Sequence, residues 1–516
     1  MLSLDKFTDL LEKSTIIEER NPARYRLKVI TQHFNQFRKL TSGERDLKKP
    51  HKTILMVGET GTGKTTLINA VVNYMLGVKR EDKVWFEITD DEDHSSTAFI
   101  TVYGVYDQKI PEDLTIIDTP GYGNAHGINF DKELAVNLLH LFQNEIDEVD
   151  AVCLVIDASQ TRLSDRQIYI FDAVQSLFGR DVAENIVLLF THSTGAHPKN
   201  ALTAVKEAKI ECAVNDKKEP VYFLFDNCQS TPFDERYETI QEQSWKLSHN
   251  GMMRYFKLLE NIQPKPLKTT RDVLKKRKQL EANVSNLQLR IEAMDQKQNE
   301  LKQTQEALEK NRKYVEDNND FEYEVEVSYK EKVPINSKYW HLTKKATCCS
   351  VCEENCHYPG CWWVRDLSWC SMMRNNFCTA CINKCHYSTH VKEAKIYVQK
   401  TKMVKKIHED LKRKYDKKIG KDISLVSKLN EDLQELENEK IKLVDKAFRC
   451  VERLEEIALK TDSLYTLQHI DFLVEKLKEI NETQKAETLE NMKKRAGEET
   501  QRPLVHYKSI INYYYH

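Results

Sequence analysis

The stretch TILMVGETGTGKTTLINAVVNYML, residues 53–76, decides the fold. Its first five residues form an unbroken apolar run, as a strand buried on both faces requires. Its last twelve contain no Gly or Pro and read as a helix. Between them, Gly58-Glu59-Thr60-Gly61-Thr62-Gly63-Lys64-Thr65 fits the spacing G-x-x-x-x-G-K-[ST]. Glycines let the main chain curl so that its N–H groups surround phosphates, and the helix behind presents its positive end to the anion. Lys64 then reaches the β- and γ-phosphates as a point charge. The Thr65 hydroxyl takes a Mg²⁺ position, and Thr66 completes the binding stretch.

Outward from this stretch, apolar strands alternate with helical segments across residues 51–263. LTIID (114–118), AVCLVID (151–157), IVLLFTH (186–192) and VYFLFDN (221–227) repeat the buried-strand pattern, and FITVYGVY (99–106) is a further strand. Helical patterns fall at 64–76, 131–146, 164–178, 198–213 and 235–260. The order is that of a doubly wound, mostly parallel α/β sheet of the P-loop NTPase class. Residues 1–50 read as a helical lead, with Leu27, Ile30, Phe34 and Phe37 at helical spacing.

Asp118-Thr119-Pro120-Gly121 closes the strand LTIID. A carboxylate there can hold Mg²⁺ through water. The Gly121 N–H can meet a γ-phosphate because no side chain obstructs it. Gly123 and Gly127 suit a mobile switch. Thr97, in HSSTAF, is the candidate switch threonine on Mg²⁺, with Ser95, Ser96 and Thr101 competing for the role.

GETGTGKTT, a Thr before a strand, DTPG, and FTHSTG after a fourth strand together resemble the septin and immunity-associated (AIG-type, or GIMAP) GTPases over about residues 52–230. The resemblance implies guanine nucleotide, Mg²⁺, slow hydrolysis and self-association through the GTPase domain. It places Asn227 near the base, with His192 beside it. Two departures follow. Thr194 stands where those proteins carry an Asp that accepts two hydrogen bonds from guanine, and one hydroxyl cannot accept both. Tyr122 follows Gly121 where many GTPases place a Gln to orient water. Turnover is therefore expected to be slow, completed by a residue from a second subunit. A scaffold that binds nucleotide without hydrolysing it is the alternative.

From residue 265 the chain turns rich in Lys, Glu and Gln. Leu280, Val284, Leu287, Ile291, Met294, Gln298 and Leu301 step by four and three, as do Leu433, Leu436, Lys440, Leu443, Ala447 and Cys450. These read as coiled-coil arms over 265–318 and 401–460. They bracket a Cys-rich insert at 319–400 with strand-like edges, FEYEVEVSY and AKIYVQ. The expected geometry is an antiparallel hairpin carrying the insert at its tip. Residues 461–516 form a C-terminal helix and tail.

Nine of the 13 cysteines fall between 348 and 385. C-x-x-C-x-x-x-C-H occurs twice, as Cys349, Cys352, Cys356, His357 and as Cys378, Cys381, Cys385, His386. Cys361, Cys370 and His390 lie among or just beyond them. The C-x-x-C step lets two thiolates reach one ion, so these residues are candidate ligands of structural Zn²⁺. Grouping into ions stays open at two or three sites. Trp362, Trp363, Trp369 and Tyr358 fill the insert's small core or form a partner patch. An SMC-type ATPase is excluded, because its second motif would follow the second arm, whereas DTPG precedes the first.

Charge is balanced, with 78 Lys+Arg against 80 Asp+Glu, which gives no case for nucleic acid as a partner. No apolar run reaches the ~18 residues of a membrane span. The N-terminus lacks a secretory pattern, Leu2 excludes myristoylation, and NYYYH is no prenylation box. A cytoplasmic protein is expected.

Overall fold

The computed structural model describes residues 5–34, 37–89, 100–108, 110–120, 137–138, 140–160, 171, 174–310, 322–335, 345–358, 360, 364, 366–407, 425–460 and 464–499. The chain divides into two compact units. One holds the described residues within Met1–Leu274, Ile457–Tyr465 and Glu498–His516, the other those within Lys275–Glu456 and Thr466–Gly497.

The first unit is built on an eight-stranded sheet. Its strands lie in the order Tyr222–Leu224, Ile186–Thr191, Ala151–Asp157, His51–Gly58, Asp113–Asp118, Ile100–Val105, Phe37–Ser42 and Ile30–His33. The first five are mutually parallel, and Ile100–Val105 enters antiparallel to Asp113–Asp118. The apolar runs are unbroken because both faces are covered. Ile54 and Met56 join one buried cluster with Cys153, Val155 and Leu189. Leu55 and Val57 join another with Leu154, Ile156 and Phe190. Helices Lys64–Met75 and Glu238–Asn261 follow the expected spans, whereas Lys199–Glu207 ends well short of the expected 213. Gly251 lets the last of these approach the sheet edge, since a Cβ there would sit 2.3 Å from the Leu224 carbonyl oxygen.

Residues 1–50 differ from the helical lead. Among the described residues of this stretch only Thr8–Lys13 is α-helical; Thr15–Glu18, Ala23–Arg26, Ile30–His33 and Phe37–Ser42 are strands. Phe37–Ser42 extends the main sheet beside Ile100–Val105. Phe37 and Leu40, three residues apart, are both buried in it. Of the four residues at helical spacing, Leu27 and Phe37 are buried, whereas Ile30 and Phe34 are 62% and 39% exposed. Pairing with the sheet overrides the local pattern.

In the second unit, helix Lys268–Lys310 from Lys275 onward pairs antiparallel with helix Leu425–Ile457 up to Glu456. Asn283 meets Cys450, Arg290 Nε lies 2.9 Å from Glu439 and Lys297 Nζ lies 3.3 Å from Asp432. Leu280, Val284 and Leu287 are buried in the expected seam, but beyond Ile291 the buried face passes to Ala293, Glu300 and Thr304. Glu300 is held by Lys297 at 3.2 Å and Lys406 at 2.7 Å, so an ionic cluster replaces the seam. The second arm also starts later than expected. Lys395–Ile407 is a strand, paired over thirteen residues with Glu322–Pro334.

The Cys-rich insert is not at a hairpin tip. The ribbon doubles back along the helix, where the Glu326 N–H donates to Gln303 Oε1. The insert packs against the helix flank, with Gln279 Nε2 donating to Thr379 Oγ1 at 2.7 Å and the Asn355 N–H donating to Asn286 Oδ1 at 3.2 Å. Helices Leu464–Glu479 and Thr483–Glu499 complete the C-terminal region, with Lys440 2.9 Å from Glu479 and Lys485 2.9 Å from Asp445. No described helix is long and apolar enough to cross a membrane.

Candidate functional site

Gly58, Asp118, Asp157 and Thr191 each end a strand of the main sheet, and the registers Met56↔Asp118, Val155↔Gly58 and Asp157↔Thr191 bring these ends to one edge. The carboxyl edge of such a sheet is where ligands bind. The loop from Glu59 to Gly63 crosses it. Gly61 and Gly63 adopt φ of +89° and +76°, left-handed conformations that side chains resist. Thr62 Oγ1 donates to the Glu59 carbonyl at 2.9 Å and so closes the loop on itself. Thr191 Oγ1 donates to the Thr62 carbonyl at 2.6 Å and ties the loop to a neighbouring strand. Thr60 is exposed on this loop, and Thr65 and Thr66 are exposed in the first turn of the helix behind it.

Lys64 and Asp118 are brought together. Lys64 Nζ donates to Asp118 Oδ1 at 2.7 Å and to the Thr119 carbonyl at 2.7 Å. Both side chains are largely buried, at 10% and 16% exposure. Thr119 is pinned in turn by its hydroxyl to the Met56 carbonyl at 3.0 Å. A cation and a carboxylate thus converge on the concavity under the glycine loop. Thr97 and Gly121 lie outside the described residues, as do Ser95, Ser96 and Tyr122. Thr101 is buried near the start of its strand, paired in register with Asp118, and its Oγ1 accepts from Arg38 Nε at 3.0 Å.

Residues 52–243 match the family model described as the AIG1 family. These residues form an AIG1-type P-loop GTPase domain. Among solved structures, Toc33 from Arabidopsis thaliana in complex with GDP and Mg²⁺ is 14% identical, covering 42% of this chain and 86% of that one with a TM-score of 0.30. A dimerization-deficient mutant of Toc33 is 14% identical over 44% of this chain and 85% of that one, TM-score 0.29. A probable GTP-binding protein, engB, is 15% identical over 40% and 99%, TM-score 0.25. Likenesses this low carry no functional argument; the family match and the local geometry do. No curated protein matches the chain.

Further along the same edge of the AIG1 domain sit His192, whose ring lies beside Gly63 of the loop, and Asn227, both with positive φ, 52° and 57°. His192 is exposed, with its Nδ1 3.5 Å from Asp157 Oδ2. Asn227 is only 8% exposed, yet neither atom of its carboxamide has a hydrogen-bond partner among the described residues. Its backbone N–H and that of Asp226 both donate to Ser248 Oγ, at 2.9 and 3.0 Å. Ser248 stands one turn before Gly251, so the close approach of that helix fixes the Asn227 backbone. Thr194 is exposed on the adjoining loop.

Two residues of the domain escape a motif reading. Asn69 and Asn73, buried on the helix behind the loop, bond the strand edge that follows. Asn73 brackets Phe86, donating to its carbonyl at 2.6 Å and accepting its N–H at 2.9 Å. Asn69 accepts the Ile88 N–H at 3.0 Å and donates to Thr89 Oγ1 at 2.8 Å. Asn at steps of four on one buried helix face was the available signal.

In the insert, no described cysteine forms a disulfide. Two groups gather donor atoms within 4.8 Å of one another: Cys349, Cys352, Cys381 and Cys385, and Cys356, Cys378, Cys381 and His390. The crowded sulfurs divide their protons unequally. Hydrogen bonding with Cys356 holds the Cys378 thiol well below its ordinary value, and bonding with Cys349 and Cys352 does the same for Cys381. Cys352 and Cys356 are pushed up in return by their bonds to Cys349 and Cys378. The remaining candidate ligands stand apart. His357 Nδ1 lies 3.3 Å from Cys370 Sγ, and His386 Nδ1 lies 2.9 Å from Ser388 Oγ. Cys361 is outside the described residues. Trp369 is 74% exposed and Tyr358 42% exposed, so neither fills the insert's core.

Proposed function

We propose that this chain is a guanine-nucleotide-binding protein with slow intrinsic hydrolysis, which works as a nucleotide-switched assembly protein through its helical second unit. The carrying observation is the Lys64–Asp118 contact of 2.7 Å beneath the glycine loop. Few arrangements other than a phosphate cradle require a buried lysine at a helix start facing a strand-end carboxylate. Main-chain N–H groups of Gly58 to Lys64 would hold the phosphates. Thr65 and Asp118 have the oxygen chemistry that Mg²⁺ takes, and the ion would neutralise charge on the phosphates. Lys64 keeps the cradle positive. Asn227 supports a base-reading role, since its buried carboxamide offers donors and an acceptor to a purine edge. With Thr194 in the usual Asp position, guanine selection rests on Asn227 and the His192 region.

Tyr122 after Gly121 favours slow turnover completed from a second copy. Phosphate release per chain should therefore rise with protein concentration; a constant rate under dilution refutes the second-copy part. Release that stays at background at every concentration favours the non-hydrolysing scaffold. Titration with GTP and ATP tests the ligand, and Lys64→Ala should abolish binding. Tight nucleotide binding retained by Lys64→Ala would sink the site assignment. For the insert, the donor set of thiols and one imidazole supports structural zinc rather than catalysis, because protein ligands fill every position of both groups.

A further inference from the structure

We propose that the Cys-rich insert holds two zinc ions joined by one shared thiolate, that of Cys381. The inference rests on the zinc reading of the insert and is independent of nucleotide binding. Tetrahedral zinc takes four nitrogen or sulfur donors. The two groups of four share Cys381, so seven side chains fill eight coordination positions only if its sulfur bridges. The spacing suits this. A Zn–S bond of about 2.3 Å sets two sulfurs of one tetrahedron about 3.8 Å apart, and the Cys352 and Cys385 sulfurs are 3.6 Å apart.

The two C-x-x-C-x-x-x-C copies exchange ligands. The first gives Cys349 and Cys352 to one ion and Cys356 to the other; the second gives Cys378 and Cys381 to that other ion and Cys385 to the first. This exchange leaves each ion one donor short. His390 completes one set. The other has only the Cys381 sulfur, which lies within 4.8 Å of its three remaining members.

The surroundings are built for thiolates. Backbone N–H groups donate to sulfur from Cys352 to Cys349 at 3.4 Å, from Cys381 to Cys378 at 3.4 Å, and from Cys385 to Cys381 at 3.2 Å. His390 Nδ1 lies 3.1 Å from the His386 carbonyl, which can only accept. The proton is therefore on Nδ1, which leaves Nε2, buried with no hydrogen-bond partner among the described residues, as the lone pair for an ion. Six thiolates on two Zn²⁺ leave a net charge of −2. Two ammonium groups lie beside it: Lys446 Nζ donates to the Cys381 carbonyl at 3.0 Å and Lys330 Nζ to the Cys352 carbonyl at 3.0 Å.

The test is metal content of the purified full chain, with cadmium NMR after complete exchange. Two zinc ions per chain are expected, with two cadmium resonances split by coupling through the shared sulfur. Cys385→Ala should keep one ion and Cys381→Ala less than one. Two ions with uncoupled resonances overturn the bridge and leave the zinc reading intact, as does Cys381→Ala retaining one full ion. One ion per chain overturns the paired cluster. No bound metal overturns the zinc reading as well. The wild-type spectrum decides the matter even if a variant fails to fold.

Discussion

Replacing Asn227 with Gly separates a ligand-binding residue from a structural one by the sign of its effect. Asn227 is 8% exposed and both its amide atoms lack partners. An unsatisfied buried polar group costs about 1–3 kcal/mol, so the free protein carries a penalty at this position. Its φ of +57° suits Gly without strain, and its backbone N–H keeps Ser248 Oγ in either case. Against the relief stand the extra backbone entropy of Gly, about 0.5–1 kcal/mol, and some lost packing. Asn227→Gly should leave the nucleotide-free domain unchanged or up to about 2 kcal/mol more stable. Two lost hydrogen bonds to a base, at about 0.5–1.5 kcal/mol each, should weaken GTP binding about 5- to 150-fold. Scanning calorimetry of the full chain suits the stability arm, because the transition that moves with added GTP identifies the nucleotide domain in a two-unit protein. Isothermal titration supplies the affinity. A variant that melts earlier while binding GTP as the parent does would refute the reasoning and make Asn227 a structural residue.

Thr191→Val removes the hydroxyl that ties the Thr62 carbonyl at 2.6 Å; nucleotide affinity should fall roughly tenfold, or about 1.4 kcal/mol, in the same titration. Arg290→Ala leaves Glu354 and Glu439 without the guanidinium that lies 3.3 and 2.9 Å from them. Breaking a pair this buried should destabilise the second unit by about 3–5 kcal/mol, read as a shift in its melting transition. His51 is held down to about 4, chiefly by burial and then by Arg45. The fold therefore favours the neutral ring, while the unfolded chain takes up a proton below about 6.5. Stability that is complete above that pH should be lost as pH falls toward 4, and His51→Gln should lose less over the same window in parallel urea titrations.

What could be read from the residues follows the range of the forces involved. The glycine loop, its lysine and the strand-end Asp118 are legible because each is set by local backbone demands and by burial of an unbroken strand on both faces. Leu27, Ile30, Phe34 and Phe37 mislead because steps of three and four are shared by a helix and by short, irregularly buried strands. Only the neighbouring Ile100–Val105 decides between them. The insert's position on the helix flank follows from Gln279, Asn286 and Arg290, polar residues that look solvated until their partners are known. Ligand grouping was illegible for a related reason. C-x-x-C spacing sets which sulfurs share a turn, whereas the exchange between copies is set by the fold that brings residues 349–356 against 378–390.

Asn69 and Asn73 carry the same lesson into function. On a helix they cost propensity, and a sequence pattern records them only as polar breaks in an apolar face. In the fold they are the hydrogen bonds that the first turn of a switch would have to respect. The helix that begins at Lys64 cannot turn or slide without disturbing the Phe86, Ile88 and Thr89 backbone, since each is bound to one of the two side chains. That backbone ends at the segment containing Thr97. Lys64 and Thr65, which under the proposed function would meet phosphate, therefore share a helix whose two buried carboxamides hold Phe86, Ile88 and Thr89 in place. Under that reading, a ligand that shifts this helix would also shift Phe86, Ile88 and Thr89.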